Sequence, residues 1–158
     1  QQGKTVHRIG FLGFGTAESW QPRVEALTNG LRYLGYVPGE SVVIETGFSE
    51  DADGLFQAAA LMARNKVEVI FASTSTEVEA ARQATQAIPI IFATHADPVG
   101  VGHVSSLPRP GGNITGVSGV RSSWLTEASR AFLTFLACSN CTSWSSSFRT
   151  RAALYSRR

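Results

Sequence analysis

Residues 88–119 read IPIIFATHADPVGVGHVSSLPRPGGNITGVSG, and this stretch carries the strongest fold signal in the chain. The apolar run IPIIFA is typical of a buried strand, and it stops near the polar residues His95 and Asp97. A connection rich in glycine and proline then leads to a short second strand, NITGVSG. In open α/β sheets, ligands bind where loops leave the carboxyl ends of the strands. The stretch therefore predicts a sheet of this kind with a binding cleft at one edge.

The length and composition are those of one globular domain. The chain has 158 residues, of which 43% are hydrophobic and 16% charged, and this balance excludes a disordered protein. No apolar run approaches the roughly 18 residues that suggest a membrane span. The chain begins Gln-Gln-Gly-Lys, so we expect either a removed export signal or a trimmed N-terminus.

Strand and helix patterns alternate along the chain. From Trp20 to Leu34 the apolar residues recur in steps of 4, 3, 4 and 3, which predicts an amphipathic helix. Strands separated by helices indicate crossover units and a parallel sheet covered on both faces. The predicted strands are residues 7–13, 42–46, 67–72, 90–94 and 114–118. The predicted helices begin at Ser19 and at Asp51 or Asp53, and then cover residues 76–86 and 100–107.

Glycines near the first strand raise the alternative of nucleotide binding. The dinucleotide fingerprint needs three glycines, so that the start of a helix meets the pyrophosphate closely. Counted from Gly13, this chain has Gly13, Gly15 and then Glu18 in the third place. Because a carboxylate there repels phosphate, the pattern favours a tight strand-to-helix turn over a nucleotide site.

Four hydroxyl residues, 73–76, stand between a predicted buried strand and a helix. The start of a helix offers unpaired backbone N–H groups and the positive end of the helix dipole, which suit an anion such as a ligand carboxylate. Ordinary N-capping needs only one of these hydroxyls. Four exceed that need, so ligand contact and capping both remain open.

His95 and Asp97 follow the fourth predicted strand at the same edge. They lack a nucleophile at a fixed spacing, and the sequence contains neither a GxSxG nor an HExxH motif, so we predict no enzymatic activity, no cofactor and no metal. Asp97 stands before Pro98 and is better explained as the cap of the next short helix. We expect His103 to lie at the surface.

The composition changes near residue 125. Residues 1–127 carry nine Lys or Arg against twelve Asp or Glu, a net charge of −3, whereas residues 128–158 carry five arginines and no acid. Cys138 and Cys141 lie far from any predicted strand-to-helix junction, so we interpret this CxxC as incidental. No aromatic platform accompanies the arginines, and we expect no nucleic-acid partner.

Several segments follow one another in the order and at the spacing of a known family. They are RIGFLGFG, GLRYLGYVPGESVVIE, VEVIFASTSTEV, ARQATQAIPIIFA and ADPVGVGHVSSLPRPGGNITGVSG. Over residues 6–123 the chain resembles the ABC-transporter substrate-binding proteins of the tryptophan/tyrosine-type group, a branch of the type I periplasmic binding proteins. The combination of LGY-x-PG, DPVG and RPGGNITG makes this resemblance specific.

The resemblance implies two Rossmann-like lobes joined by a hinge, with a small ligand such as an aromatic amino acid trapped between them. Such a protein does no chemistry itself and delivers its ligand, in the periplasm or another extracytoplasmic space, to an ABC permease. We expect residues 1–123 to form the first lobe, a three-layer flavodoxin-like α/β unit whose five-stranded parallel sheet has the order 2-1-3-4-5. The ligand-binding residues carried over from the family are Phe14, Gly15, Thr16, Ser73, Thr74, Ser75, His95 and Asp97.

After residue 123 the chain departs from the family, which continues with a second lobe. The loss of glycine, proline and acids is what translation out of frame produces, so we hypothesise that residues 124–158 are an aberrant, loosely ordered tail. A lone lobe presents half a cleft, so we predict weak ligand binding, and its exposed apolar face favours dimerisation or aggregation. The alternatives are the effector-sensing domain of a transcriptional regulator and a small flavodoxin-like nucleotide-binding protein.

Overall fold

The computed structural model of the chain describes residues 6–92, 95–106 and 111–116. The strands are β1 (His7–Phe14), β2 (Val42–Ser49), β3 (Val69–Ala72), β4 (Ile90–Phe92) and β5 (Ile114–Gly116). The helices are α1 (Ala17–Tyr33), α2 (Ala52–Arg64) and α3 (Ser75–Ala84). All neighbouring strands pair in parallel, in the order β2-β1-β3-β4-β5. The predicted fold class and strand order are confirmed.

Side chains alternate between the two faces of the sheet along each strand. Apolar side chains therefore lie on both faces, and helices cover both of them. The core on the α1 side comprises Ile9, Phe11, Trp20, Leu27, Leu31, Val42, Val69, Phe71 and Ile91. The core on the side of α2 and α3 includes Leu12, Leu55, Ala59, Met62, Ile70, Val78, Ala81, Ile90 and Phe92. Two cores with one sheet between them make the three layers that the sequence predicts.

The helix α1 buries the predicted stripe but begins before the predicted residue. Its N-cap is Thr16, whose hydroxyl accepts a hydrogen bond from Ser19 N at 3.4 Å. Ser19 lies one turn inside the helix and donates its own hydroxyl to the Thr16 carbonyl at 2.7 Å. Gly15 has a φ of +112°, and this left-handed conformation turns the chain from β1 into the helix within one residue. The prediction that Ser19 opens the helix is therefore wrong.

The helix α2 has the predicted cap and the predicted buried face. The Asp51 carboxylate accepts a hydrogen bond from Gly54 N at 2.6 Å, which satisfies one of the N–H groups that a helix start leaves unpaired. Leu55, Ala59 and Met62 point into the core. Asn65 ends the helix, directly after Arg64, as expected.

A turn over residues 98–102 replaces the predicted helix of residues 100–107. The Asp97 carboxylate accepts a hydrogen bond from Gly100 N at 2.8 Å, and Val104 N donates to the Pro98 carbonyl at 3.0 Å. Gly102 has a φ of +76°, a conformation through which a right-handed helix does not continue. Asp97 therefore caps a turn and not a helix.

Some predictions concern residues that the structure does not describe. They are the ends of the fourth and fifth strands at residues 93–94 and 117–118, Leu107 at the end of the predicted fourth helix, the domain boundary at residue 123, and the tail of residues 124–158 with Cys138 and Cys141. These stay predictions.

Candidate functional site

The carboxyl ends of the strands lie level with one another along one edge of the sheet. In the strand register, Phe14 at the end of β1 lies opposite Ser49 at the end of β2. Ala72 at the end of β3 lies opposite Phe92 at the end of β4, which in turn lies opposite Gly116. The predicted ligand-binding loops follow β1, β3 and β4, which are adjacent strands. The topology therefore brings all three predicted loops to the same edge.

The backbone around Phe14 is held by hydrogen bonds to three other elements. Phe14 N donates to the Glu77 carboxylate of α3 at 2.9 Å, and the Phe14 carbonyl accepts from the Trp20 indole of α1 at 2.7 Å. Gly15 N donates to the Ser49 carbonyl of β2 at 2.7 Å. The Phe14 side chain is nevertheless 46% exposed. An exposed aromatic ring is thus carried on a constrained backbone at this edge of the sheet.

Gly13 lies inside β1, in agreement with the predicted strand of residues 7–13. A β-carbon on Gly13 would stand 2.8 Å from the Trp20 ring. The absence of a side chain there lets Trp20 pack against the strand, and this brings its indole nitrogen to the Phe14 carbonyl.

The junction of residues 73–75 lies against a carboxylate of the chain itself, that of Glu77. Thr74 is the N-cap of α3 and Ser75 its first residue, while Ser73 is buried. The fully buried carboxylate of Glu77 accepts hydrogen bonds from Thr74 N at 3.0 Å and from the Thr74 hydroxyl. The backbone N–H and the hydroxyl of Thr74, at the N-cap position of α3, are thus engaged with a residue of the chain itself.

His95 is buried and belongs to a chain of hydrogen bonds that runs to α3. Its Nε2 atom lies 2.7 Å from Nδ1 of His103, and Nε2 of His103 lies 2.9 Å from the Glu79 carboxylate. Asp97 N donates to Nδ1 of His95 at 3.2 Å. The His103 side chain is only 7% exposed. The expectation of a surface position for His103 is wrong, because Glu79 supplies the polar partner that lets the imidazole leave water.

Two groups in this chain of hydrogen bonds have shifted pKa values. The Arg82 guanidinium, which donates to the Glu79 carboxylate at 2.7 Å, lowers the pKa of Glu79 from 4.5 to about 2, and hydrogen bonds from Gln83 and His103 act in the same direction. Burial lowers the pKa of His95 below its ordinary 6.5, and the neighbouring His103 lowers it further. At neutral pH, Glu79 is therefore ionised, and the buried imidazole of His95 is neutral.

The structure thus connects the predicted site residues in two groups. Phe14 and Thr74 meet through Glu77, and His95 and Asp97 are bonded to each other and joined to α3 through His103. The connecting residues Glu77 and Glu79 were not among the predicted site residues. For Glu77 the sequence held a signal, since Thr74-Ser-Thr-Glu77 has the spacing of a capping box. For Glu79 and His103 the sequence held no such signal, because they are 24 residues apart.

Among the described residues, no helix combines the length and the apolar character needed to cross a membrane.

The comparison with known proteins gives the family. The model of the family described as "ABC transporter substrate binding protein" matches residues 9–126. A tyrosine-binding protein from Clostridioides difficile (strain R20291) is 35% identical over 85 residues, which make up 53% of this chain and 25% of that protein.

Two solved structures are similar to the described fold. One is the ligand-free, open form of a substrate-binding protein with adhesive properties from Clostridium difficile, with a TM-score of 0.66 and 29% identity over 74% of this chain and 40% of that chain. The other is an ABC domain from Streptococcus pneumonia in complex with L-Trp, with a TM-score of 0.65 and 28% identity over 72% of this chain and 39% of that chain.

The chain thus spans about a quarter of the length of the curated relative and about two fifths of the solved chains. The family is one of solute-binding proteins and not of enzymes. The match to the family model covers most of the chain, and it agrees with the parallel sheet, the strand order and the resemblance of the sequence motifs. The chain belongs to the ABC transporter substrate-binding protein family.

Proposed function

We propose that residues 1–123 are the first lobe of the solute-binding component of an ABC importer, and that this component takes up an aromatic amino acid or a similar small carboxylate. The observation that carries the proposal is the exposed ring of Phe14 at the edge where the loops after β1, β3 and β4 meet. The tyrosine-binding relative and the solved complex with L-Trp support the class of ligand. The location is extracytoplasmic, and the partner that receives the solute is an ABC permease.

The ring of the ligand packs on Phe14 in this proposal. Pairs of aromatic rings contribute about 0.5–1.5 kcal/mol beyond the area they bury. The backbone of Phe14 does not have to be ordered by the ligand, because it is held on both sides by Trp20 and Glu77. An aliphatic amino acid has no ring for this contact, so the loop favours aromatic ligands.

The ligand carboxylate lies at the start of α3 in this proposal. The first N–H groups of a helix lack partners within the helix, and the helix dipole favours an anion there. Thr74 is engaged with Glu77, so the ligand carboxylate is directed towards Ser75 and the first turn of the helix. Asp97, together with Gly15 and Thr16, completes the wall of the site on either side, and the buried His95 supports Asp97 from behind through its hydrogen bond with Asp97 N.

An NMR titration of the chain with L-Trp and L-Tyr, beside L-Ala, tests this function. We expect weak, saturable binding of the aromatic ligands, with shifted signals at Phe14 and Ser75, because one lobe contacts one side of the ligand. The variant F14A lowers the affinity about tenfold or more, which corresponds to about 1.4 kcal/mol. The matched control is F56A, since Phe56 on α2 is 40% exposed and lies on another element.

Equal shifts with L-Ala and L-Trp, or equal losses in F14A and F56A, would contradict the proposal. Calorimetry that gave micromolar affinity for the lobe would overturn the expectation of weak binding.

Self-association is a further part of the proposal. Val99 and Val101 are exposed on the loop after β4, at the same edge as Phe14, and sedimentation at several concentrations tests whether this apolar rim brings two chains together.

A further inference from the structure

We propose that Glu77 is the positioning residue of the ligand site: its buried carboxylate locks the end of β1, where the first loop begins, to the loop after β3, and so sets where the Phe14 ring is presented. This inference rests on the proposed function, because it concerns how the same site is shaped. Glu77 does not itself contact the ligand, since its side chain is fully buried.

One oxygen of the carboxylate binds the end of β1, and the other binds the N-cap residue of α3. Oε1 accepts from Phe14 N at 2.9 Å, across 63 positions of the sequence, and Oε2 accepts from Thr74 N at 3.0 Å and from the Thr74 hydroxyl. A capping box requires only the contact of Glu77 with the N-cap residue. The contact with Phe14 exceeds what capping needs, and it ties β1 to α3.

Burial makes this connection stiff. A buried carboxylate needs donors to replace its lost hydration, and the described donors to Glu77 all come from Phe14 and Thr74. A shift of either loop would remove a donor from a buried charge, which is far less favourable than losing a contact in water. The loops therefore move together or remain in place, and ligand binding does not have to order them.

The variant E77Q removes one of the two loop contacts while keeping the size of the side chain. An amide has one oxygen, so its NH2 group must face the N–H of either Phe14 or Thr74, donor against donor. Amide hydrogen exchange of the full chain, followed by NMR, reads this loss without any ligand. We expect the Phe14 or Thr74 amide to exchange at least about tenfold faster in E77Q, because hydrogen bonds to charged acceptors are strong.

The control variant is E25Q, which makes the same chemical change at an exposed position of α1. Core amides such as those of Leu27 and Ala59 are the internal reference, since a merely global destabilisation accelerates them as well. In the same samples, we expect the L-Trp affinity to fall about tenfold in E77Q, which corresponds to loops that keep the ligand-binding arrangement in about a tenth of the molecules. In E25Q the L-Trp affinity should stay unchanged.

Unchanged exchange at both Phe14 and Thr74 in E77Q would overturn the proposal, and so would faster exchange with unchanged L-Trp affinity. If E77Q does not fold, the wild-type chain decides: a through-hydrogen-bond coupling between Phe14 N and the Glu77 carboxyl carbon supports the proposal, and an unprotected Phe14 amide rejects it. If wild type binds neither L-Trp nor L-Tyr, the proposed function fails, and the positioning role of Glu77 is then judged on hydrogen exchange alone.

Discussion

Nε2 of His95 lies 2.7 Å from Nδ1 of His103, and the neighbouring contacts determine which ring donates. Asp97 N donates to Nδ1 of His95, so the proton of His95 is on Nε2 and is donated to His103. Nε2 of His103 then donates to the Glu79 carboxylate. In this arrangement all donors point in one direction, from the loop after β4 to α3. This polarised chain connects the loop that holds two predicted ligand residues to the helix that holds Glu77.

Replacing His103 by alanine leaves a buried donor on His95 without its acceptor. We expect H103A to lower the free energy of unfolding by about 2–4 kcal/mol, from the unsatisfied donor and the cavity together. Urea denaturation measures this loss. The matched control is Q83A, because Gln83 donates to the same Glu79 carboxylate from an exposed position, and it should lose less than about 0.5 kcal/mol. Equal losses of stability in the two variants would show that the His95–His103 contact stabilises the chain no more than the exposed contact between Gln83 and Glu79.

The pH dependence of stability should have a defined sign between about pH 7.5 and 5.5. Burial lowers the pKa of His95 below 6.5, so below this value the unfolded chain binds more protons than the folded one. The stabilising contribution of neutral His95 is therefore complete above about pH 6.5 and declines as the pH falls through that value towards the lower pKa of the folded state.

Urea denaturation at these two pH values tests this sign, with H95N as the comparison. The Glu79 carboxyl does not interfere, because its pKa falls from 4.5 to about 2 and it changes charge only at lower pH. The wild-type chain should lose more stability than H95N on acidification. A steeper loss in H95N would show that His95 is not held in its neutral form by burial.

A methyl group at Gly100 should disrupt the turn that Asp97 caps. A β-carbon there would overlap the Asp97 carboxylate, so the hydrogen bond from Gly100 N to Asp97 cannot keep its geometry. We expect G100A to lose about 1–3 kcal/mol in thermal or urea unfolding. The control G112A meets no atom within 4 Å, and it should be neutral or slightly stabilising, by up to about 1 kcal/mol. A neutral G100A would contradict the described geometry of the turn.

The indole nitrogen of Trp20 should contribute to stability through the Phe14 carbonyl, which it reaches at 2.7 Å. We expect W20F to lose about 1–3 kcal/mol, because it removes the donor and part of the buried ring. The control Y33F removes a polar atom from an aromatic ring at the other end of α1, where Tyr33 is exposed, and should change stability by less than about 0.5 kcal/mol. Similar effects of the two variants would mean that the Trp20 contact contributes little.

Local patterns were sufficient for the architecture. The stripe of Trp20, Leu27 and Leu31 and the short apolar strands specify which faces are buried, and alternation with helices leaves few ways to arrange a parallel sheet. The motifs around DPVG and RPGGNITG were specific enough for the family. Errors occurred where the chain turns: Gly15 let α1 begin at Ala17, and Gly102 closed a turn where a short helix was predicted.

Hydrophobic periodicity therefore determined the parallel sheet and the edge at which its strands end, because burial of apolar side chains depends on spacings that are visible along the chain. The resemblance to the family supplied the strand order. Only the tertiary structure decided which polar residues shape that edge. Glu77 meets Phe14 across 63 positions and His103 meets Glu79 across 24. A buried polar group takes whichever partner the packed fold brings within about 3 Å, and that proximity leaves no periodic trace in the sequence.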